Sequence, residues 1–170
     1  MMNTQFMATI AGEDRPDLLK LLAGKTHALE GRWLDSKISR LEGQIAGIIK
    51  IDIPNENLSA LKADFNSIPN FHVSTSDVKL VTITECAQLN LKIEANDRPG
   101  IISDIAHFLD SKGVAIEHME NHRFGVIGLG TTVFIAELSL MVPVDMGTEF
   151  LVEELERLSS DLRVEVEEIA

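Results

Sequence analysis

The sequence predicts an α+β fold of two tandem βαββαβ units, each a four-stranded antiparallel sheet with both helices on one face. Two observations support this prediction. An Asp-Arg-Pro motif occurs twice, at 14–16 and at 97–99. Each motif lies between an alternating hydrophobic run and a run with helical spacing, and the order strand, helix, strand, strand, helix, strand follows in both halves. We therefore predict two domains, residues 1–82 and 83–170.

The first half supplies one complete set of elements. Residues 4–11 alternate as a strand does, and apolar residues recur at helical spacing from Leu18 to Leu29. Gly31 stands where a glycine commonly ends a helix. The remaining segments are predicted as strands at 33–41 and 45–53, a helix at 58–68, and an extended segment at 71–81 that is interrupted at 74–77.

The second half repeats this order. Its predicted segments are an extended segment at 81–95, a helix at 99–112, a strand at 114–121, a hairpin turn at 124–130, a strand at 131–142, a helix at 147–159 and a strand at 162–169. An offset of 83 residues aligns the two Asp-Arg-Pro motifs. We expect this offset to slip by one after the first helix, so that Gly31 matches Gly113 and Leu34 matches Ile116. Each half then has the ferredoxin-like split βαβ order.

Charge and composition exclude several classes of protein. The net charge is −12, from 27 acidic and 15 basic residues. This argues against direct contact with nucleic acid or an anionic membrane, because both need a basic surface. The single cysteine, Cys86, fits a reducing compartment. Neither a signal peptide nor an apolar run of about 20 residues is found, which predicts a cytoplasmic protein.

The second motif forms a strand-to-helix turn that could bind an anion. Asp97 is placed to cap the helix, and Pro99 stands near its first position, where the missing N–H costs nothing. Gly100 keeps side-chain atoms away from the unpaired N–H groups at the helix start.

A free amino acid fits this turn chemically. The amides of Gly100, Ile101 and Ile102 could hold its carboxylate at the positive end of the helix dipole. Asn96 and Asp97 could receive its ammonium. The simpler alternative is that Asp97 only caps the helix and that nothing binds.

The first turn offers the equivalent residues Glu13, Asp14 and Leu18, and it differs at one position. Asp17 stands where the second turn has Gly100. The extra carboxylate lies beside a helix terminus that attracts anions, so we expect ligand binding at the second turn more than at the first.

Other chemistry finds little support. The glycine-rich run at 125–130 lies between two strands, whereas a dinucleotide loop opens a helix. His118, Glu120 and His122 alternate along a strand, yet their spacing matches no known metal site. Cys86 has no nearby base to activate it. We therefore expect no catalytic residue, no metal and no cofactor.

The repeated unit resembles the ACT domain, on its βαββαβ order, its length of about 80 residues and its Asp-Arg-Pro-Gly motif. The resemblance implies a regulatory module that binds an amino acid, commonly where two such domains meet. A stand-alone tandem pair resembles the family of glycine cleavage system transcriptional repressors. That resemblance implies a repressor that acts through a DNA-binding protein partner, with glycine as effector. We expect the ligand to be a small amino acid, glycine or serine, and the chain to form a homodimer.

Two alternatives remain open at the level of the sequence. One is an amino-acid-binding effector subunit that regulates a metabolic enzyme. The other is a small enzyme of the acylphosphatase type, because the ferredoxin-like architecture also supports that chemistry. Arg98 lies beside backbone donors, as a phosphate loop requires, but Asp97 and the acidity of the chain oppose a phosphate ligand.

Overall fold

A computed structural model describes residues 2–82 and 84–168 of the chain. The chain divides into two compact units, Met1–Val81 and Thr82–Ala170. No helix within the described residues is long and apolar enough to cross a membrane.

The first unit has the predicted βαββαβ order. Its elements are β1 (Asn3–Glu13), α1 (Leu18–Ala28), β2 (Arg32–Leu41), β3 (Gln44–Pro54), a 3-10 turn (Asn55–Asn57), α2 (Leu58–Asn66) and β4 (Phe71–Asp77). The strands lie in the order β2-β3-β1-β4, and every neighbouring pair is antiparallel.

The second unit repeats this topology. Its elements are β5 (Cys86–Asn96), α3 (Ile101–Ser111), β6 (Ala115–Val126), β7 (Thr131–Pro143), α4 (Thr148–Glu156) and β8 (Arg163–Glu167). The order β6-β7-β5-β8 is that of the first sheet, again with antiparallel neighbours only. The prediction of two ferredoxin-like units is confirmed.

Each unit has its own core between its sheet and its two helices. Alternate strand residues are buried together with apolar helix residues, as the two periodicities of 2.0 and 3.6 require. Phe65 of α2 and Phe134 of β7 are the largest fully buried side chains. The opposite face of each sheet is more polar and is accessible to solvent.

The predicted slip in the repeat offset is wrong. Glu30 and Gly113 have positive φ angles of 61° and 69°, and each follows a helix whose last turn it closes. Gly113 therefore corresponds to Glu30, and Gly31 corresponds to Val114. The offset stays at 83 residues into the next strand, where bulges fall at Leu34 and Glu117.

Three predicted element boundaries are also wrong. β4 runs through 74–77 without interruption, because these residues pair with β1. No strand is found at 78–82 or at 84–85, and β5 begins only at Cys86. Residues 124–126 belong to β6 rather than to a turn, since they pair with Thr131–Val133 of β7. The end of the last predicted strand, Ile169, lies outside the described residues.

Candidate functional site

Gly100 sets the backbone geometry of the second turn. It is the residue that precedes α3, and its φ angle of 82° lies in the left-handed region. A Cβ at this position would meet no atom within 4 Å, so the need for glycine is conformational rather than steric. The prediction that Asp97 caps the helix is wrong, because no side chain caps it. The helix starts at Ile101, two residues after Pro99.

Asp97 instead ties the turn to the β6–β7 hairpin. Its backbone N–H donates to the Thr132 carbonyl at 2.8 Å. Its Oδ1 accepts a charge-assisted hydrogen bond from Nε of Arg123 at 2.9 Å. The Arg123 guanidinium also lies 5.3 Å from the ring centroid of Phe134, within the range of a cation–π contact.

Asn96 connects the same turn to the loop between α4 and β8. Its backbone N–H donates to Oδ2 of Asp161 at 2.7 Å, and the Ser159 hydroxyl donates to Oδ1 of the same carboxylate. These hydrogen bonds, that of Ser159 first, lower the pKa of Asp161 below its ordinary value. The ionised carboxylate therefore fixes the end of β5, where the turn begins.

The remaining predicted residues of the second turn have separate roles. The side chain of Ile101 is buried in the core, and that of Ile102 packs partly against it. The Ile101 amide makes a long bond of 3.4 Å to the Arg98 carbonyl. The Arg98 guanidinium pairs with Asp104 in the first turn of α3 at 2.6 Å. Both charges lie at the surface, so this pair adds little stability.

The first turn has the same anchors. The Asp14 amide donates to the Gly43 carbonyl at 2.9 Å, and Oδ2 of Asp14 accepts from Nε of Arg40 at 2.9 Å. The other oxygen of this carboxylate, Oδ1, is buried and has no hydrogen-bond partner among the described residues. The Glu13 amide, equivalent to that of Asn96, donates to the Asn70 carbonyl at 3.2 Å.

The Asp17 carboxylate does not occupy the start of α1 as the sequence suggests. The residue precedes the helix with a φ angle of −98° and makes no capping bond. Its carboxylate accepts bonds from Arg15 at 2.9 and 3.4 Å, and the first of these lowers the pKa of Asp17. The buried Leu18 begins the helix and contributes to the core rather than to an open surface. The two turns therefore differ in backbone conformation at the position of Asp17 and Gly100.

The structure adds residues that the sequence analysis did not identify. Four of them bond to the turns from distant elements: Arg40, Arg123, Thr132 and Asp161. The fifth, Ser159, donates to the Asp161 carboxylate. Both arginines lie 26 residues after the aspartate that they bind. An unbroken offset of 83 aligns them, whereas the assumed slip paired Arg40 with His122 and concealed the match.

The other candidates remain unsupported. His118, Glu120 and His122 share the open face of the second sheet, where Nε2 of His118 lies 3.3 Å from Oε1 of Glu120. Within the described residues no group of three or more His, Cys, Asp or Glu is arranged to hold a metal ion. Cys86 is half-buried at the start of β5.

Comparison with known proteins agrees with this geometry. Residues 4–69 match the family model of the ACT domain. This match lies within the first unit, and the second unit repeats the topology of the first. No curated protein matched the sequence.

Two solved structures share the fold over nearly the whole chain. An unknown protein from Galdieria sulphuraria covers 99% of this chain and 100% of its own, with a TM-score of 0.85 and 19% identity. A "putative glycine cleavage system transcriptional repressor" covers 98% of this chain and 100% of its own, with a TM-score of 0.70 and 13% identity. At these identities the likeness establishes a common fold.

Proposed function

We propose that this chain is a non-enzymatic, amino-acid-sensing regulator whose effector binds at the second turn. The observation that carries the proposal is the start of α3, where Gly100 leaves the helix uncapped and exposed. The first N–H groups of a helix have no partner within the helix and attract an anion. The first unit matches the ACT domain over residues 4–69, and the second unit, which holds this turn, repeats its topology. The resemblance to a module that commonly binds amino acids agrees with this chemistry.

In this proposal, one group of residues binds the carboxylate of the effector and another binds its ammonium. Its carboxylate meets the amides of Gly100, Ile101 and Ile102, and Pro99 shapes the entry to them. Its ammonium meets Asp97 and the side chain of Asn96. The effector that we propose is a small amino acid, glycine or serine. The first turn, with Glu13, Asp14 and Leu18, is the weaker candidate.

The partner that we propose is a DNA-binding transcription regulator, through which the chain would repress glycine cleavage genes. Charge supports a protein partner with a basic surface. The first unit has 10 acidic and 9 basic residues, whereas the second has 17 acidic and 6 basic residues, so nearly all of the net charge of −12 belongs to the second unit. Opposite charge accelerates association and selects partners. We also propose that the protein is cytoplasmic and forms a homodimer.

Acidic residues outnumber basic residues on the open face of the second sheet. Register places five glutamates there with only one lysine and one arginine: Glu94, Glu120, Glu137, Glu165, Glu167, Lys92 and Arg163. The lysine is already held by Glu94 at 2.9 Å, which raises its pKa. This face therefore suits a cationic protein surface and repels a phosphate backbone.

Calorimetric titration with each of the twenty amino acids tests the effector. We expect at least one to bind, glycine or serine first. Silence across the whole set would reject the sensing function.

A pull-down from the native cell tests the partner. A helix-turn-helix protein would support the repressor, and an oligomeric biosynthetic enzyme would show instead that the chain regulates a metabolic enzyme. Adding the effector to the lysate should change the amount of partner recovered, because a regulator must bind its partner differently in its two states.

A further inference from the structure

Two arginines occupy equivalent positions in the two units. Arg40 and Arg123 each lie 26 residues after the turn aspartate and donate from Nε at 2.9 Å. They lie on equivalent strands, β2 and β6, beyond equivalent bulges. The same geometry thus recurs although the hairpin that follows is longer in the second unit.

The aspartate of each turn is held at two points. Its amide donates to a carbonyl at the start of the third strand, from Gly43 or Thr132, and its carboxylate accepts from the arginine of the second strand. The turn is therefore fixed to both strands of the neighbouring hairpin. No other side-chain bond is found on the carboxylate of Asp97 within 2–82 and 84–168.

From this geometry we infer that Arg123 is a positioning residue for the second turn, and Arg40 for the first. Arg123 donates a hydrogen bond to Oδ1 of Asp97, so Oδ2 is the oxygen that would bind an effector's ammonium. The arginine also orients the backbone that leads to Gly100 and the first amides of α3. The inference rests on the proposed function where it concerns the effector, and on the structure alone where it concerns the turn.

Arginine suits this role better than lysine. Its planar guanidinium donates from Nε in a fixed direction, and its face can lie over an aromatic ring at the same time. Arg123 does both, toward Asp97 and Phe134. A lysine would keep the charge but not the direction, so it should recover only part of the function.

The test compares Arg123→Met, Arg123→Lys and Arg40→Met with Arg157→Met, which removes an exposed arginine of the helix α4 region that pairs with Glu154. Amide hydrogen exchange is measured without ligand. We expect exchange of the Asp97 amide to rise about tenfold in Arg123→Met, the factor that corresponds to losing one charged hydrogen bond. Arg40→Met should change the Asp14 amide instead. Arg157→Met should change neither.

Calorimetry with glycine and with serine supplies the second readout. We expect Arg123→Met to weaken binding about tenfold and Arg123→Lys to weaken it less. Unchanged exchange at Asp97 in Arg123→Met would overturn the inference. Changed exchange with unchanged affinity would reduce the arginine to a structural role and overturn its positioning role. If the wild-type protein binds neither amino acid, glycine and serine are rejected as effectors, while the exchange data still decide whether Arg123 holds the turn.

Discussion

At the scale of single residues, Gly100 and Asp161 set the backbone at the two ends of the candidate site. Gly100 adopts a φ angle of 82° that costs other residues about 1–2 kcal/mol. At the other end of the turn, Oδ2 of Asp161 accepts a hydrogen bond from the backbone N–H of Asn96. Both residues set the backbone of the turn. Neither contacts the proposed effector through a side chain.

Replacing Gly100 tests the helix terminus as the effector site. Gly100→Val places a branched side chain at the proposed carboxylate position, so we expect effector affinity measured by calorimetry to fall at least tenfold. The control is Gly113→Val at the other end of α3, where φ is 69° and a Cβ also meets nothing within 4 Å. Both variants should lose a similar stability, about 1–2 kcal/mol. Equal affinity in the two variants would place the effector elsewhere.

The anchor at Asp161 should respond to acid. Its pKa is lowered in the folded protein, so its stabilising contribution is present above the ordinary aspartate pKa of about 3.9 and is lost as the pH falls through the folded value. Asp161→Asn should therefore destabilise the protein at pH 6 by a few tenths to about 1 kcal/mol. The difference should be smaller at pH 3, below the ordinary aspartate pKa of about 3.9, than at pH 6. Urea unfolding at the two pH values measures it, and a gap that stays constant with pH would contradict this account.

At the scale of elements, the ends of the two first helices explain how the repeat has diverged. Both helices end in the same hydrogen-bond pattern. In α1 the Gly31 N–H donates to the Thr26 carbonyl, and in α3 the Val114 N–H donates to the Leu109 carbonyl. The left-handed residue between cap and strand is Glu30 in one unit and Gly113 in the other. The glycine lies one position later in the first unit than in the second, and matching the two glycines gave the wrong offset.

The two positions form a matched pair for a stability test. Glu30→Gly should raise the free energy of unfolding of the first unit by about 1 kcal/mol, because glycine accepts positive φ without strain. Gly113→Ala should lower that of the second unit by a similar amount. Denaturant unfolding of each variant measures the change. The same sign for both variants would show that the backbone angle does not control stability here.

At the scale of the whole molecule, the two units share a fold and differ in charge. A net charge of −1 in the first unit and −11 in the second follows from the residue counts given above. Fold is set by the pattern of buried residues, which both units keep, whereas surface charge is free to diverge. The second unit thus has the surface that a cationic partner would select.

The purified protein should not bind DNA by itself. At physiological salt we expect no shift of duplex DNA in a gel assay, because the acidic second unit repels phosphate. The DNA-binding partner recovered by pull-down serves as the positive control and should restore a shifted complex. A tight, salt-sensitive complex of DNA with the chain alone would contradict the partner model.

The sequence by itself determined the repeat and the fold. Hydrophobic periods and the doubled Asp-Arg-Pro motif are local signals, and burying one face of each element leaves few arrangements for a βαββαβ order. The position of the turn between β5 and α3 follows from the same local signals.

Only the tertiary structure decided what surrounds the turn. Arg123 lies 26 residues from Asp97, and Asp161 lies 65 residues from Asn96. These pairs meet because the register of the four strands brings them to one end of the second sheet, and register depends on every strand at once. The angle at Gly100 is likewise a product of the fold, because the helix must leave the strand in the direction that buries Ile101 and Ile105.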